Sequence, residues 1–149
     1  MQDIHRQSAS GAATSAATRG GIEVVESLMA AWRSNELESA LALLSDDVEC
    51  HFVPLPARHG KAHVERMLRS FMLGVREIDV IMHHIVEQDG VVLTERTDIL
   101  RGPWLDLEFW CCGTFKVRDG KITLWRDHLD VGAVALQVIT SPLRRLLRA

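Results

Sequence analysis

The spacing of apolar residues is mainly helical up to about residue 77 and mainly alternating from there to Leu129. Ile22 to Arg33 puts Val24, Val25, Leu28, Met29 and Trp32 on one stripe and predicts a helix. Ser34-Asn35 interrupts it, and Leu37 to Leu44 restarts as a shorter helix. Ser45-Asp46-Asp47 turns the chain into a strand, Val48 to Val53, which Pro54-Leu55-Pro56 halts. Gly60 precedes a third helix, Lys61 to about Val75, with Val64, Met67, Leu68, Phe71 and Met72 as its stripe.

Beyond this point the pattern is β. Ile78 to Glu87 is rich in branched residues and ends at Gln88-Asp89-Gly90, a hairpin signal. Val91 to Leu100 follows, then Trp104 to Val117 after Arg101-Gly102-Pro103, then Ile122 to Leu129 after Arg118-Asp119-Gly120. Val131 to Arg148 is expected to be irregular at first and helical after Ser141-Pro142. Helices first and a four-stranded antiparallel meander afterwards predict an α+β fold. The expected architecture is a curved, mixed but mostly antiparallel sheet wrapped around the N-terminal helices. It forms a cone with a deep apolar pocket at its mouth.

Composition narrows this picture rather than changing it. A chain of 149 residues, 47% apolar, fits one domain with a full core. The first twenty residues are small and polar, so residues 1–20 are expected to be a mobile arm and 21–149 the single folded domain. A net charge of −3 offers no electrostatic case for nucleic acid or an anionic membrane. Neither a secretory signal nor a run of ~18 apolar residues is visible. The three cysteines, Cys50, Cys111 and Cys112, form no C-x-x-C pair and read as buried thiols of a cytoplasmic protein.

The chemistry lies in two strands. Side chains on a strand alternate faces, so Arg96 and Asp98 point the same way as Val92, Thr94 and Leu100. By the same rule Asp127 shares a face with Thr123, Trp125 and Leu129. Should both faces line one cavity, two carboxylates flank one guanidinium on an apolar wall, an arrangement costly to bury and suited to acid–base work. A structural ion-pair network on the sheet is the plainer alternative. Leu105, Leu107, Phe109, Cys111 and Phe115 are the expected greasy lining from the long strand.

Other polar residues carry less. Glu95 and Arg126, on the opposite faces of those strands, are expected to pair across the sheet. His59 and His63 have a chelating spacing, but Gly60 lies between them and no third ligand is evident, so solvated surface is expected. His83 and His84 should alternate faces. Trp32 and Trp125 are expected to fill the core rather than meet a ligand.

Thr94-Glu95-Arg96-Thr97-Asp98, followed by Gly120-Lys121-Ile122-Thr123-Leu124-Trp125-Arg126-Asp127, resembles the limonene-1,2-epoxide hydrolase family. The likeness runs from about Ile22 to Asp130 and includes the Pro54-Leu55-Pro56 loop. The resemblance implies the cone fold of nuclear transport factor 2 and ketosteroid isomerase, and a cofactor-independent hydrolase acting on a small apolar epoxide and water. It implies Asp127 as the base that deprotonates water, Asp98 as the acid that protonates the epoxide oxygen, and Arg96 between them. Phe52, Phe71, Leu100, Phe109 and Leu129 are the expected substrate-binding residues, and a homodimer the expected assembly, with Glu108, Trp110 and Cys112 on its outer face. An isomerase or cyclase of the same fold, or a non-catalytic small-molecule-binding module, are the alternatives. One departure stands out. Related enzymes hold the water with a tyrosine and an asparagine where, aligned on Pro54, this chain has Cys50 and Phe52, and it contains no tyrosine.

Overall fold

The computed structural model of the chain describes residues 19–148. The arm expected over residues 1–20 therefore lies almost wholly outside the described residues. Four helices and six strands follow in the order α1 (Gly21–Arg33), α2 (Leu37–Ala42), β1 (Leu44–Val53), β2 (Arg58–His59), α3 (Lys61–Met72), β3 (Glu77–Gln88), β4 (Val91–Arg101), β5 (Asp106–Arg118), β6 (Lys121–Leu129) and α4 (Val131–Arg148).

The sheet order is β2-β1-β6-β5-β4-β3. Strands β3 to β6 form the expected antiparallel meander. The sheet is larger than that meander, however, because β1 joins it parallel to β6 and carries β2 on its outer side. Asp89-Gly90 and Asp119-Gly120 make the two tight turns, all four residues lying at φ between 51° and 75°. That is the backbone a two-residue hairpin loop needs to match the twist of its strands.

The helical stripes close one face of the sheet. Val24, Val25 and Leu28 of α1 and Val64 and Leu68 of α3 are fully or almost fully buried against Val48, Val92, Phe115 and Ile122. The start of α1 is fixed from the sheet: the Glu87 carboxylate accepts from the amides of Gly21 (3.1 Å) and Ile22 (3.0 Å). It supplies the acceptors that the first turn of a helix lacks.

Three expectations fail here. The segment after β6 is helical from Val131 onward, not irregular, and α4 continues through Pro142. Its entry is capped by Asp130, whose Oδ1 accepts from the Ala133 amide at 2.9 Å. Glu95 and Arg126 do not pair, because β5 separates their strands. Glu95 instead accepts from Trp110 Nε1 at 2.9 Å, while Arg126 lies 3.9 Å from Glu49 on β1. Nor do His83 and His84 face apart. A bulge between Met82 and His84 turns both to the outer face, His83 against Thr97 (2.8 Å) and His84 near Glu95 (3.8 Å).

Candidate active site

The register across three strands decides the site. On β5, Cys111 sits opposite Arg96 of β4 and Gly113 opposite Asp127 of β6. Arg96 and Asp127 thus lie on the same face with one strand between them, and a side chain as long as arginine spans that strand. Its Nη2 donates to Asp127 Oδ2 at 2.6 Å. Its Nε donates to both oxygens of Asp98, at 2.9 and 3.2 Å, and Nη1 donates to Thr94 Oγ1 at 3.1 Å. Arg96 is 1% exposed, Asp127 4% and Asp98 8%, so all three charges are out of bulk water.

Two carboxylates and one guanidinium would leave the buried site one negative charge too many. Burial pushes the proton affinity of Asp98 above the usual aspartate range; Arg96 opposes this and the charge of Asp127 adds to it, and the net direction is upward. A proton held on Asp98 neutralises the site. For Arg96, burial works against the charge, but Asp127 and Asp98 outweigh it and keep the guanidinium cationic. The arrangement therefore sets two carboxyl groups on either side of one fixed cation.

Asp127 is held asymmetrically. Its Oδ2 accepts from Arg96 and also from Trp125 Nε1 at 2.9 Å. Its Oδ1 is buried and has no hydrogen-bond partner among the described residues. A buried carboxylate oxygen left bare is uncommon and needs an explanation. Here it belongs to a side chain that lines a cavity of about 270 Å³.

That cavity is walled by apolar groups from both layers of the fold. Leu28, Met29 and Trp32 come from α1, Phe52 and Leu55 from β1 and its proline loop, Phe71 from α3, and Val134 from α4. The sheet contributes Arg96, Asp98, Leu100, Leu107, Phe109, Cys111, Trp125, Asp127 and Leu129. The five residues expected to meet a ligand, Phe52, Phe71, Leu100, Phe109 and Leu129, are all in this lining. Leu105 and Phe115 are not: Leu105 precedes β5, and Phe115 lies deeper, stacked on Trp125 at 6.0 Å.

Trp32 and Trp125 fill the core as expected, and sequence reasoning missed only that they form cavity wall as well. The aromatic groups interlock: Trp32 lies parallel to Phe71 at 6.3 Å and edge-on to Trp125 at 5.8 Å, and Phe52 meets Trp125 edge-on at 5.4 Å. Sequence reasoning also overlooked Thr94 and Gly113. The only signal for Thr94 was its place two residues before Arg96 on the same face; Gly113 gave none. At the two positions where a tyrosine and an asparagine were implied, a fully buried thiol and an aromatic ring stand instead. Burial, with the charge of Asp127 behind it, pushes the Cys50 thiol up and keeps it protonated. His51 does not substitute for them. The irregularity in β1 falls between Leu44 and Glu49, so pairing is regular at His51 and its side chain stays off the cavity face.

Residues 19–139 match the limonene-1,2-epoxide hydrolase catalytic domain. The chain is 39% identical over 108 residues to the epoxide hydrolase EphG of Mycobacterium tuberculosis, covering 72% of this chain and 71% of that protein. Its fold superposes on the structure of a limonene-epoxide-hydrolase-like epoxide hydrolase from the same organism with a TM-score of 0.76 and 32% identity, over 87% of this chain and 96% of the other. A putative SnoaL-like polyketide cyclase from Shewanella denitrificans gives a TM-score of 0.74 at 16% identity, over 80% of this chain and 97% of its own, a likeness of fold alone.

Proposed function

The chain belongs to the limonene-1,2-epoxide hydrolase family, and from that premise we propose that it opens a small apolar epoxide to a vicinal diol in one step, with water as nucleophile and no covalent intermediate. The observation that carries this reading is the bare, buried Oδ1 of Asp127 at the wall of an apolar cavity that also holds Asp98, whose proton affinity burial raises.

In this reaction Asp127 Oδ1 takes a proton from water as the water oxygen bonds to one epoxide carbon. The carbon–oxygen bond of the ring breaks, and the leaving oxygen takes the proton of Asp98. Both transfers are needed, because ring strain alone neither protonates an alkoxide nor activates water; each contributes roughly 10²–10⁴-fold. Turnover leaves the proton on the wrong aspartate, and its return from Asp127 to Asp98 restores the site. Arg96 touches both carboxyl groups throughout and keeps them in place. Phe52, Phe71, Leu100, Phe109 and Leu129 would hold the apolar body of the substrate, and the small cavity limits its size.

A single turnover in ¹⁸O-labelled water tests the step directly. Diol from the first turnover should carry the label; unlabelled first-turnover diol would mean that a protein carboxylate had attacked. Asp98→Asn and Asp127→Asn should each lower the rate by about 10² or more while leaving the fold intact. An enone isomerised while epoxides remain untouched would shift the reading to an isomerase of the same fold.

We further propose a cytoplasmic homodimer built on the outer sheet face. Trp110 is 49% exposed there although it is large and apolar. Sedimentation equilibrium returning a single-chain mass of 16.7 kDa at micromolar concentration would remove the dimer.

A further inference from the structure

We infer that Trp125 is the positioning residue that fixes the carboxylate plane of Asp127, so that one of its oxygens is presented bare to the cavity. The inference rests on the hydrolase reading above and deepens it. Asp127 has two carboxylate oxygens, and a base in a dry cavity must present one of them bare. Oδ2 accepts both from Arg96 Nη2 at 2.6 Å and from Trp125 Nε1 at 2.9 Å, and Oδ1 accepts from nothing. Were the indole N–H absent, only Arg96 would hold Oδ2. Rotation about the terminal carboxylate bond is soft, so the carboxylate could then pivot about that single contact and turn its bare oxygen out of line with the cavity. Two donors converging on Oδ2 from different directions remove that freedom.

The indole is itself fixed. Trp125 and Asp127 are two residues apart on β6 and share a face, so the N–H reaches along the strand to its own neighbour. Phe52 and Trp32 pack edge-on against the ring, and Phe115 stacks on it. The ring cannot swing without disturbing three aromatic neighbours. The titratable groups coupled to Asp127 are Arg96 and Asp98 on β4, Cys111 on β5 and Cys50 on β1. Among them only Arg96 donates to Asp127 in a charged form, so the indole is the one neutral donor that stabilises the carboxylate without adding charge to the site.

Replacing Trp125 by benzothienylalanine keeps the bicyclic shape and puts sulfur where the N–H was. The expected result is an unchanged melting temperature, a kcat lowered about tenfold, the scale of one hydrogen bond to a charged group, and a KM within about twofold of wild type. The acid limb of the kcat profile should move to higher pH, because a carboxylate that loses a donor binds its proton more tightly. W125F should show the same kinetic loss with a lower melting temperature from the smaller ring. An independent measurement needs no turnover. The indole ¹H–¹⁵N resonance of Trp125, identified by its absence in W125F, should shift in D127N. Unchanged kcat and acid limb in the benzothienyl variant, or an indole resonance indifferent to D127N, would overturn the assignment. A wild type that turns over no epoxide would sink the hydrolase reading, while the resonance would still decide this one.

Discussion

At the scale of single residues, the site depends on two that do no chemistry. Thr94 Oγ1 accepts from Arg96 Nη1, and Gly113 leaves room for that guanidinium to lie flat over β5. A Cβ at Gly113 would stand 2.5 Å from Arg96 Nη1, 2.6 Å from Thr94 Oγ1 and 2.8 Å from the Phe115 ring. None of these can yield cheaply, since Arg96 is held by three partners and Phe115 is fully buried. G113A should therefore cost about 1–3 kcal/mol of stability, the usual scale of overpacking. It should also lower kcat by about 10² by displacing the cation between the two carboxyl groups. Urea unfolding and steady-state kinetics on the same preparation check both, and a variant with wild-type turnover would show that the guanidinium has slack. The requirement for glycine here comes from the close approach of a side chain on the next strand, and its φ is ordinary.

Among the elements, α4 shows how a helix can be set by the strand it covers. Strand β6 pairs with β5 only from Cys111 onward, so the first residues of β5 have no strand on that side. Side chains of α4 take its place. Gln137 accepts from the Glu108 amide at 2.9 Å and donates to its carbonyl at 2.8 Å, copying the two bonds of a strand neighbour. Ser141 Oγ donates to the Asp106 carbonyl at 3.0 Å. Both side chains lie on the turns just before Pro142, where the helix ladder loses one donor, and they tie that stretch of α4 to the strand. Because Val134 of the same helix lines the cavity, the clamp also sets the rim. Q137A should destabilise by about 1–2 kcal/mol and raise amide exchange in α4 more than in β4. Uniform exchange across the molecule would mean that the helix is held by other contacts.

For the molecule as a whole, the buried triad ties stability to pH. Asp98 binds its proton more tightly in the folded chain than in the unfolded one, where the ordinary aspartate value near 3.8 applies. Between that value and the raised one, the folded state carries more protons, so stability falls as pH rises through the window and levels off above it. The contribution is fully present only below the unfolded value. D98N, neutral at every pH, should remove this slope, so that plots of unfolding free energy against pH for the two proteins separate progressively above about pH 4. Parallel plots would mean that Asp98 titrates normally. In the proposed reaction this proton is the one Asp98 donates, so the alkaline limb of kcat should follow its loss.

Much of this was legible one residue at a time. The periods of α1, α3 and β3 to β6, the Asp-Gly turns and the shared face of Arg96 and Asp98 are local consequences of backbone geometry, and these are found where the sequence puts them. Phe52, Leu100, Phe109 and Leu129 face the cavity because alternation fixes the face of a strand residue, and Phe71 because it lies on the apolar stripe of α3. Other features depend on which strand lies beside which, and spacing along the chain does not encode that. Arg96 reaches Asp127 by spanning β5, whereas Glu95 and Arg126, with β5 between them, find other partners. The parallel docking of β1 on β6 seats Cys50 against Trp125, and a bulge in β3 turns His83 and His84 to one face. The sequence by itself determined the elements and the orientation of their side chains. Only the packed sheet decided that a guanidinium would bridge two carboxyl groups, and that an indole would leave one carboxylate oxygen bare, because both are contacts between groups brought together by strand order and register.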